Sequence, residues 1–192
     1  MTKSASATSS AVRVRPLPIV QLGDPVLWAK AKSVPQNTNL DLLISRMSKT
    51  LIRAQGVGLA APQVGQSIRM FMMDIHPTKT RTQLPHLGQI AVINPKIIES
   101  SDEVVTDWEG CLSITTSKGL VFGPVPRPKS IVVTYHNQLK KLVKTEMSGL
   151  VARIFLHEYD HLEGILFIQR MHDLSKLVDE KTYLHHLKSR SK

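Results

Sequence analysis

The chain has 192 residues and a mass of 21.4 kDa, enough for one domain or at most two small ones. Hydrophobic residues make up 42% of it and charged residues 21%, so collagen, low-complexity fibre and global disorder are excluded. No uninterrupted apolar run approaches the roughly 18–20 residues of a membrane span. The single cysteine excludes an internal disulfide, and nothing points to an oxidising compartment.

The net charge of +10 is concentrated at the two ends of the chain. Residues 1–55 have a balance of +6, residues 56–137 of +1 and residues 138–192 of +3. Such a field can hold a protein near a polyanion and speed their encounter. Because aromatic residues are only 5% and no ribonucleoprotein motif or finger spacing occurs, we expect no sequence-specific nucleic-acid binding.

The first 17 residues are small, polar and basic, without the apolar core of a secretory signal. We predict that residues 1–16 form a disordered segment of a bacterial cytoplasmic protein. Their Ser-rich, acid-free composition also leaves organellar targeting open.

The predicted elements then follow in chain order. A helix is predicted over 39–55, capped by Thr38 and Asp41 and closed by Gly56. Three glycines and a proline predict that 56–65 is a loop made mostly of backbone. The remaining predictions are strands at 68–75, 90–98, 130–136 and 139–146, loops at 76–88 and 117–127, a second helix from 147 or 148 to 164, and a third from 173.

The second helix carries the sequence His157-Glu158-Tyr159-Asp160-His161. Residues four apart on a helix are separated by about 40° around its axis, so both imidazoles project to one side and can hold one metal ion. Glu158 can reach a water at the metal without being a ligand, and can act as general base and acid. Leu150 and Ile154 lie on the same face of the helix as the two histidines, so we expect both imidazoles to face the interior. The order of one helix, several strands and two further helices predicts an α+β fold. We expect antiparallel sheets packed around a central metal-binding helix, and a C-terminal helix.

A catalytic metal site needs a third protein ligand, and the sequence leaves two candidates open. The metzincin pattern fails because position 167 is Phe167 instead of histidine. Glu180 would give a thermolysin-like zinc endopeptidase, although it lies in a charged stretch typical of a solvated helix face. Cys111 follows Glu109 and Gly110, which predict a polar segment with a sharp turn. A divalent ion beside it would stabilise the thiolate form of Cys111.

Three segments resemble the signature motifs of the peptide deformylases, in the order that the family has them. They are Gly56-Val57-Gly58-Leu59-Ala60-Ala61-Pro62-Gln63, Glu109-Gly110-Cys111-Leu112-Ser113 and His157-Glu158-Tyr159-Asp160-His161. The resemblance extends over residues 17–175. It implies a catalytic metallohydrolase domain of that extent, followed by a basic C-terminal helix and tail over residues 176–192.

The resemblance implies a hydrolase that removes the N-formyl group from the initiator methionine of nascent polypeptides, giving formate and a free amine. It implies that Cys111, His157 and His161 bind one divalent metal, natively Fe(II), with Zn, Ni or Co also accepted. Bacterial members dock at the ribosome through a basic C-terminal helix, so a ribosome contact through the basic termini is expected. A basic RNA- or ribosome-binding protein without catalysis remains the alternative from another class.

The resemblance also implies roles for individual residues. Glu158 would be the proton carrier, and the side-chain amide of Gln63 and the backbone N–H of Leu112 would stabilise the oxyanion. Lys118 stands where the family commonly has Arg, which concerns how distal substrate residues are held. The remaining substrate contacts are expected at Gly58, Val57, Glu109, Leu150 and Ile154.

Overall fold

The structure is a computed structural model that describes residues 14–77 and 85–190. In chain order its helices and strands are α1 (Asp41–Ala54), β1 (Gly58–Ala60), β2 (Met70–Ile75), β3 (Gly88–Ser100), β4 (Val104–Thr116), β5 (Gly119–Pro128), β6 (Ser130–His136), β7 (Leu142–Ser148), α2 (Gly149–Leu162), β8 (Val178–Asp179) and α3 (Glu180–Arg190). Within the described ranges, no helix is long and apolar enough to cross a membrane. Residues 1–13 of the predicted disordered segment and residues 78–84 of the predicted 76–88 loop lie outside the described residues.

Two antiparallel sheets pack against α2, which confirms the predicted fold class. The first sheet has the strand order β1-β2-β3-β6-β7, and the second has the order β4-β5-β8. The β6–β7 hairpin forms as predicted, but β7 begins at Leu142 because the turn is longer than expected. The side-chain oxygen of Asn137 accepts hydrogen bonds from the backbone of Leu139 and Lys141 and so closes that turn.

The prediction that residues 117–127 form a loop is wrong, because β5 fills most of this range. Its glycines and prolines are typical of loops, so the sequence did not predict a strand here. Pro124, Pro126 and Pro128 are two residues apart, so their missing N–H groups lie on one edge and leave the other able to pair. β5 pairs with β4 along most of its length, and the register shifts between Gly110 and Thr115. Cys111 therefore lies in an irregular stretch inside a strand.

Three further boundaries differ from the predictions. Asn39, rather than Thr38, accepts the hydrogen bond from the Asp41 backbone at the start of α1. Within the predicted 56–65 loop, residues 58–60 form β1 and pair with β2. α3 begins at Glu180 instead of Asp173, because β8 pairs with β5 before the helix starts.

The helix α2 is fixed against the first sheet by an aromatic contact. Phe155 is fully buried, and its ring meets the edge of Phe71 on β2 at 5.1 Å between ring centroids. Tyr135 on β6 adds a tilted contact at 6.5 Å. These contacts set the position of the helix that carries both histidines.

Replacing Phe155 with alanine removes this contact and leaves a cavity beneath α2. We expect the free energy of unfolding to fall by about 3–5 kcal/mol, measured by urea denaturation. Leu142→Ala on β7 is the control, since Leu142 is 68% exposed and should cost less than about 0.5 kcal/mol. Equal losses in the two variants would contradict this account of how α2 is held.

Candidate metal centre and active site

Two elements bring together three side chains that could hold a metal ion. Cys111 comes from β4, while His157 and His161 come from consecutive turns of α2. Their ligand atoms all lie within 4.8 Å of one another, and the Cys111 sulfur is 3.3 Å from Nε2 of His161. A tetrahedral ion with bonds of about 2.0–2.3 Å places its ligand atoms roughly 3.3–3.8 Å apart, so the separation of Cys111 and His161 fits a shared ion.

The chemistry of the three donors fits a divalent metal. A thiolate and two imidazoles suit Zn, Fe, Ni and Co better than the hard ions Ca and Mg. Buried polar atoms beside them also lack hydrogen-bond partners among the described residues, namely Nδ1 of His161 and Oε2 of Glu158. Buried polar atoms without partners are costly, so the site is built to hold something more than its own side chains.

A buried carboxylate orients the first histidine. Glu109 Oε2 lies 2.9 Å from Nδ1 of His157, which leaves Nε2 of that ring for a metal. Its two oxygens also accept hydrogen bonds from Arg127 and Arg153 at 2.9–3.0 Å. Burial alone would raise the pKa of Glu109, but the hydrogen bonds from His157 and Arg127 hold it well below its usual range. Glu109 therefore stays charged.

The cationic partners of Glu109 extend the network across the second sheet. Arg153 donates to the backbone carbonyls of Val105 and Val125, so it ties α2 to both β4 and β5. Arg127 also pairs with the buried carboxylate of Asp160, which in turn binds Arg170. Asp160 is thus a partner of Arg127 rather than a solvated charge. Sequence reasoning did not single out Arg153, although a charge on the apolar stripe one turn before His157 was a usable signal.

The Glu158 carboxylate is buried against the backbone of β1. A Cβ atom at Gly58 would collide with this carboxylate, so glycine provides the space that it occupies. Burial raises the pKa of Glu158 to about 7. A carboxyl group with that pKa can both take up a proton and return it near neutral pH.

The amide of Gln63 is held in one orientation by the turn that follows β1. Its Oε1 accepts a hydrogen bond from the backbone of Ala60 at 2.8 Å. Its Nε2 therefore faces the metal-binding group, 3.2 Å from Ser113 Oγ and 3.4 Å from Cys111 Sγ. The side chain is a fixed donor at the edge of the site.

A cavity of about 200 Å³ opens beside Cys111 and His157, whereas His161 does not line it. Leu120 and Phe122 of β5 also line it, which sequence reasoning missed because it did not recognise this strand. Glu180, the alternative third ligand, lines the cavity but is not part of the metal-binding group. The predicted site residues that line the cavity are Val57, Gly58, Gln63, Glu109, Cys111, Leu112, Leu150, Ile154, His157 and Glu158.

Comparison with known proteins gives a consistent result. The family model described as Polypeptide deformylase matches residues 16–177. Peptide deformylase 2 of Nostoc sp. is 41% identical over 169 residues, which cover 87% of this chain and 92% of that protein. A peptide deformylase of Thermotoga maritima is 42% identical, with 83% of this chain and 89% of that protein covered.

Solved structures agree with the sequence comparisons. The crystal structure of peptide deformylase from Thermotoga maritima superposes with a TM-score of 0.72 at 42% identity, covering 82% of this chain and 99% of the other. The Met-Ala-Ser-bound class I type b enzyme from Acinetobacter baumannii gives a TM-score of 0.74 at 34% identity, covering 81% and 98%. The match thus extends over most of both chains in sequence and in fold. The chain belongs to the polypeptide deformylase family.

Proposed function

We propose that Cys111, His157 and His161 hold one divalent metal, at which this enzyme removes the N-formyl group from the initiator methionine of nascent polypeptides, giving formate and a free amine. The convergence of one sulfur and two imidazole nitrogens within 4.8 Å, beside a cavity, is the observation that carries the proposal. When bound, a divalent cation supplies Lewis acidity, which lowers the pKa of water and polarises a carbonyl oxygen. Family membership removes the support for a thermolysin-like endopeptidase and for a non-catalytic RNA-binding protein.

Glu158 is the proton carrier in this reaction. Its Oε2 has no hydrogen-bond partner among the described residues, so it can accept the proton of the attacking water. The protonated carboxyl group then delivers that proton to the departing amine. A pKa of about 7 suits both halves of the cycle.

Gln63 and Leu112 stabilise the negative charge that develops on the formyl oxygen. The hydrogen bond from Ala60 fixes the Gln63 carbonyl, so its NH₂ group is already aimed at the site before substrate arrives. Donors that need no reorganisation give the largest electrostatic stabilisation of a transition state. The backbone N–H of Leu112, on the wall of the same cavity, is the second donor in this proposal.

The substrate lies along β1 with its methionine side chain in the cavity. β1 is the edge strand of the first sheet, so its outer backbone groups, including those of Gly58, can pair with an extended peptide. Val57, Leu150 and Ile154 supply apolar walls for the methionine. We expected a substrate contact at Glu109 as well, but the engagement of both its oxygens favours a role in orienting His157.

We propose Fe(II) as the native metal, as the family resemblance implies. Zn, Ni or Co can replace it, since a thiolate and two imidazoles tolerate several ions. Nascent chains as substrates favour the bacterial cytoplasm as the location. The basic balance of +6 in residues 1–55 and +3 in residues 138–192 supports a contact with the ribosome through the termini. We propose no membrane partner and no sequence-specific nucleic-acid partner.

Replacing Glu158 with glutamine tests the proposed reaction. The variant should still bind about one metal per chain but release formate from formyl-Met peptides about 10²–10⁴ times more slowly, because it cannot carry the proton. Metal analysis and a formate assay measure the two quantities. Glu163→Gln, at the end of the same helix, is the matched control and should keep wild-type turnover. If the metal-loaded wild type releases no formate, the proposed function is wrong.

Replacing Gln63 with alanine removes one donor to the oxyanion. We expect kcat to fall by about 10²–10³ with a small change in KM, because the interaction strengthens in the transition state. Gln66→Ala, an exposed glutamine three residues away, should leave kcat unchanged. A loss confined to KM would show that Gln63 binds the ground state instead.

Replacing Glu109 with glutamine removes the charge that orients His157 and neutralises Arg127. We expect metal affinity to fall by about 10–100-fold, as measured by competition with a chelator. Glu103→Gln breaks an exposed pair with Lys129 and should not change the affinity. Equal affinity in wild type and Glu109→Gln would contradict the orienting role.

A further inference from the structure

The helix α3 forms part of the cavity wall. Glu180, Tyr183 and Leu184 of this helix line the same cavity as the reactive residues. The segment that the family model matches ends at residue 177, before α3 begins. The walls assigned to methionine come from other elements, so α3 is placed to meet a different part of the substrate.

α3 is fixed in this position by aromatic stacking. Tyr183 is 7% exposed and stacks on Phe122 of β5 with a centroid distance of 4.0 Å. His186, one turn further on, stacks on Trp108 of β4 at 5.5 Å. The preceding strand β8 adds backbone pairing with β5. These contacts hold α3 in place beside the cavity.

The carboxylate of Glu180 is the polar group that this wall offers to a ligand. It lies over Gly119, at the turn between β4 and β5, where a Cβ atom would collide with it. Glu180 is half-buried and has no ion-pair partner among the described residues. Glu109, another carboxylate of the cavity, is already paired with Arg153. Hydrogen bonds from Thr182 lower the pKa of Asp179, and the positive charges of Lys118 and Lys181 lower it further.

We propose that α3 is an additional specificity wall of this enzyme, where Glu180 favours a basic over an acidic side chain at the second or third residue of the formylated peptide. The inference rests on the proposed function, because it assumes that formyl-methionine occupies the rest of the cavity. Residues 54–56, which follow the course of α1 into β1, line the same cavity. A peptide that extends beyond the methionine within this cavity therefore comes within reach of α3.

The test compares kcat/KM for formyl-Met-Ala-Xaa and formyl-Met-Xaa-Ala amides, with lysine, glutamate or alanine as Xaa. Wild type should prefer lysine to glutamate by about two- to fivefold at one of these positions, the range expected for a partly exposed ion pair. Glu180→Gln should bring the ratio close to one, and Glu180→Lys should invert it. Glu146→Gln and Glu146→Lys make the same charge changes at an exposed site on β7 outside the cavity, and should keep the wild-type ratio.

The salt dependence of the wild-type protein tests the role of charge without any variant. The lysine preference of wild type should shrink as salt is raised, because exposed charges are screened. A lysine-to-glutamate ratio that is the same in wild type and both Glu180 variants overturns the inference. If wild type processes the alanine peptides, the proposed function survives that result. If wild type releases no formate even from the alanine peptides, the proposed function fails and the inference fails with it.

Discussion

The buried carboxylate of Glu109 is the interaction on which the rest of the site depends. It accepts hydrogen bonds from two guanidinium groups, Arg127 and Arg153, and contacts His157, all within the interior. Removing one member of such a buried ionic group typically costs about 3–5 kcal/mol, because it leaves the others charged and unpaired. Since Glu109 belongs to β4 and His157 to α2, the network also fixes the strand against the helix. That placement brings the Cys111 sulfur, two residues further along β4, to the two imidazoles.

The two sheets have separate tasks around the central helix. The second sheet supplies the Cys111 sulfur and the ionic network around His157, whereas the first sheet positions the Glu158 carboxylate and the Gln63 amide. Gly58 on β1 makes room for the Glu158 carboxylate, and the turn after β1 holds the Gln63 amide. Phe155 on the opposite part of α2 keeps the helix on the first sheet. The reactive groups are therefore positioned from both sides by elements that the helix separates.

Local sequence patterns predicted the parts of the molecule that local physics determines. Helical spacing predicted that His157 and His161 project to one side of α2, and two strand-like runs around Asn137 predicted the β6–β7 hairpin. The prolines made β5 look like a loop. They are compatible with a strand only because the edge with their missing N–H groups is not the one that pairs with β4, and local patterns do not show which edge pairs. The register shift around Cys111 and the reach of Arg153 to β4 and β5 arise from pairing between distant segments. The choice of Cys111 over Glu180 and the roles of Gln63 and Leu112 came from the family resemblance, whereas the place of α3 in the cavity wall emerged only from the fold.

The central claim is that one sulfur and two imidazole nitrogens share a single metal ion. X-ray absorption at the metal edge of the purified, metal-loaded protein measures this coordination directly. We expect one sulfur neighbour at about 2.3 Å and two imidazole nitrogens at about 2.0–2.1 Å for a zinc-loaded sample. A spectrum with only nitrogen and oxygen neighbours would contradict the account, because Cys111 would then not complete the site.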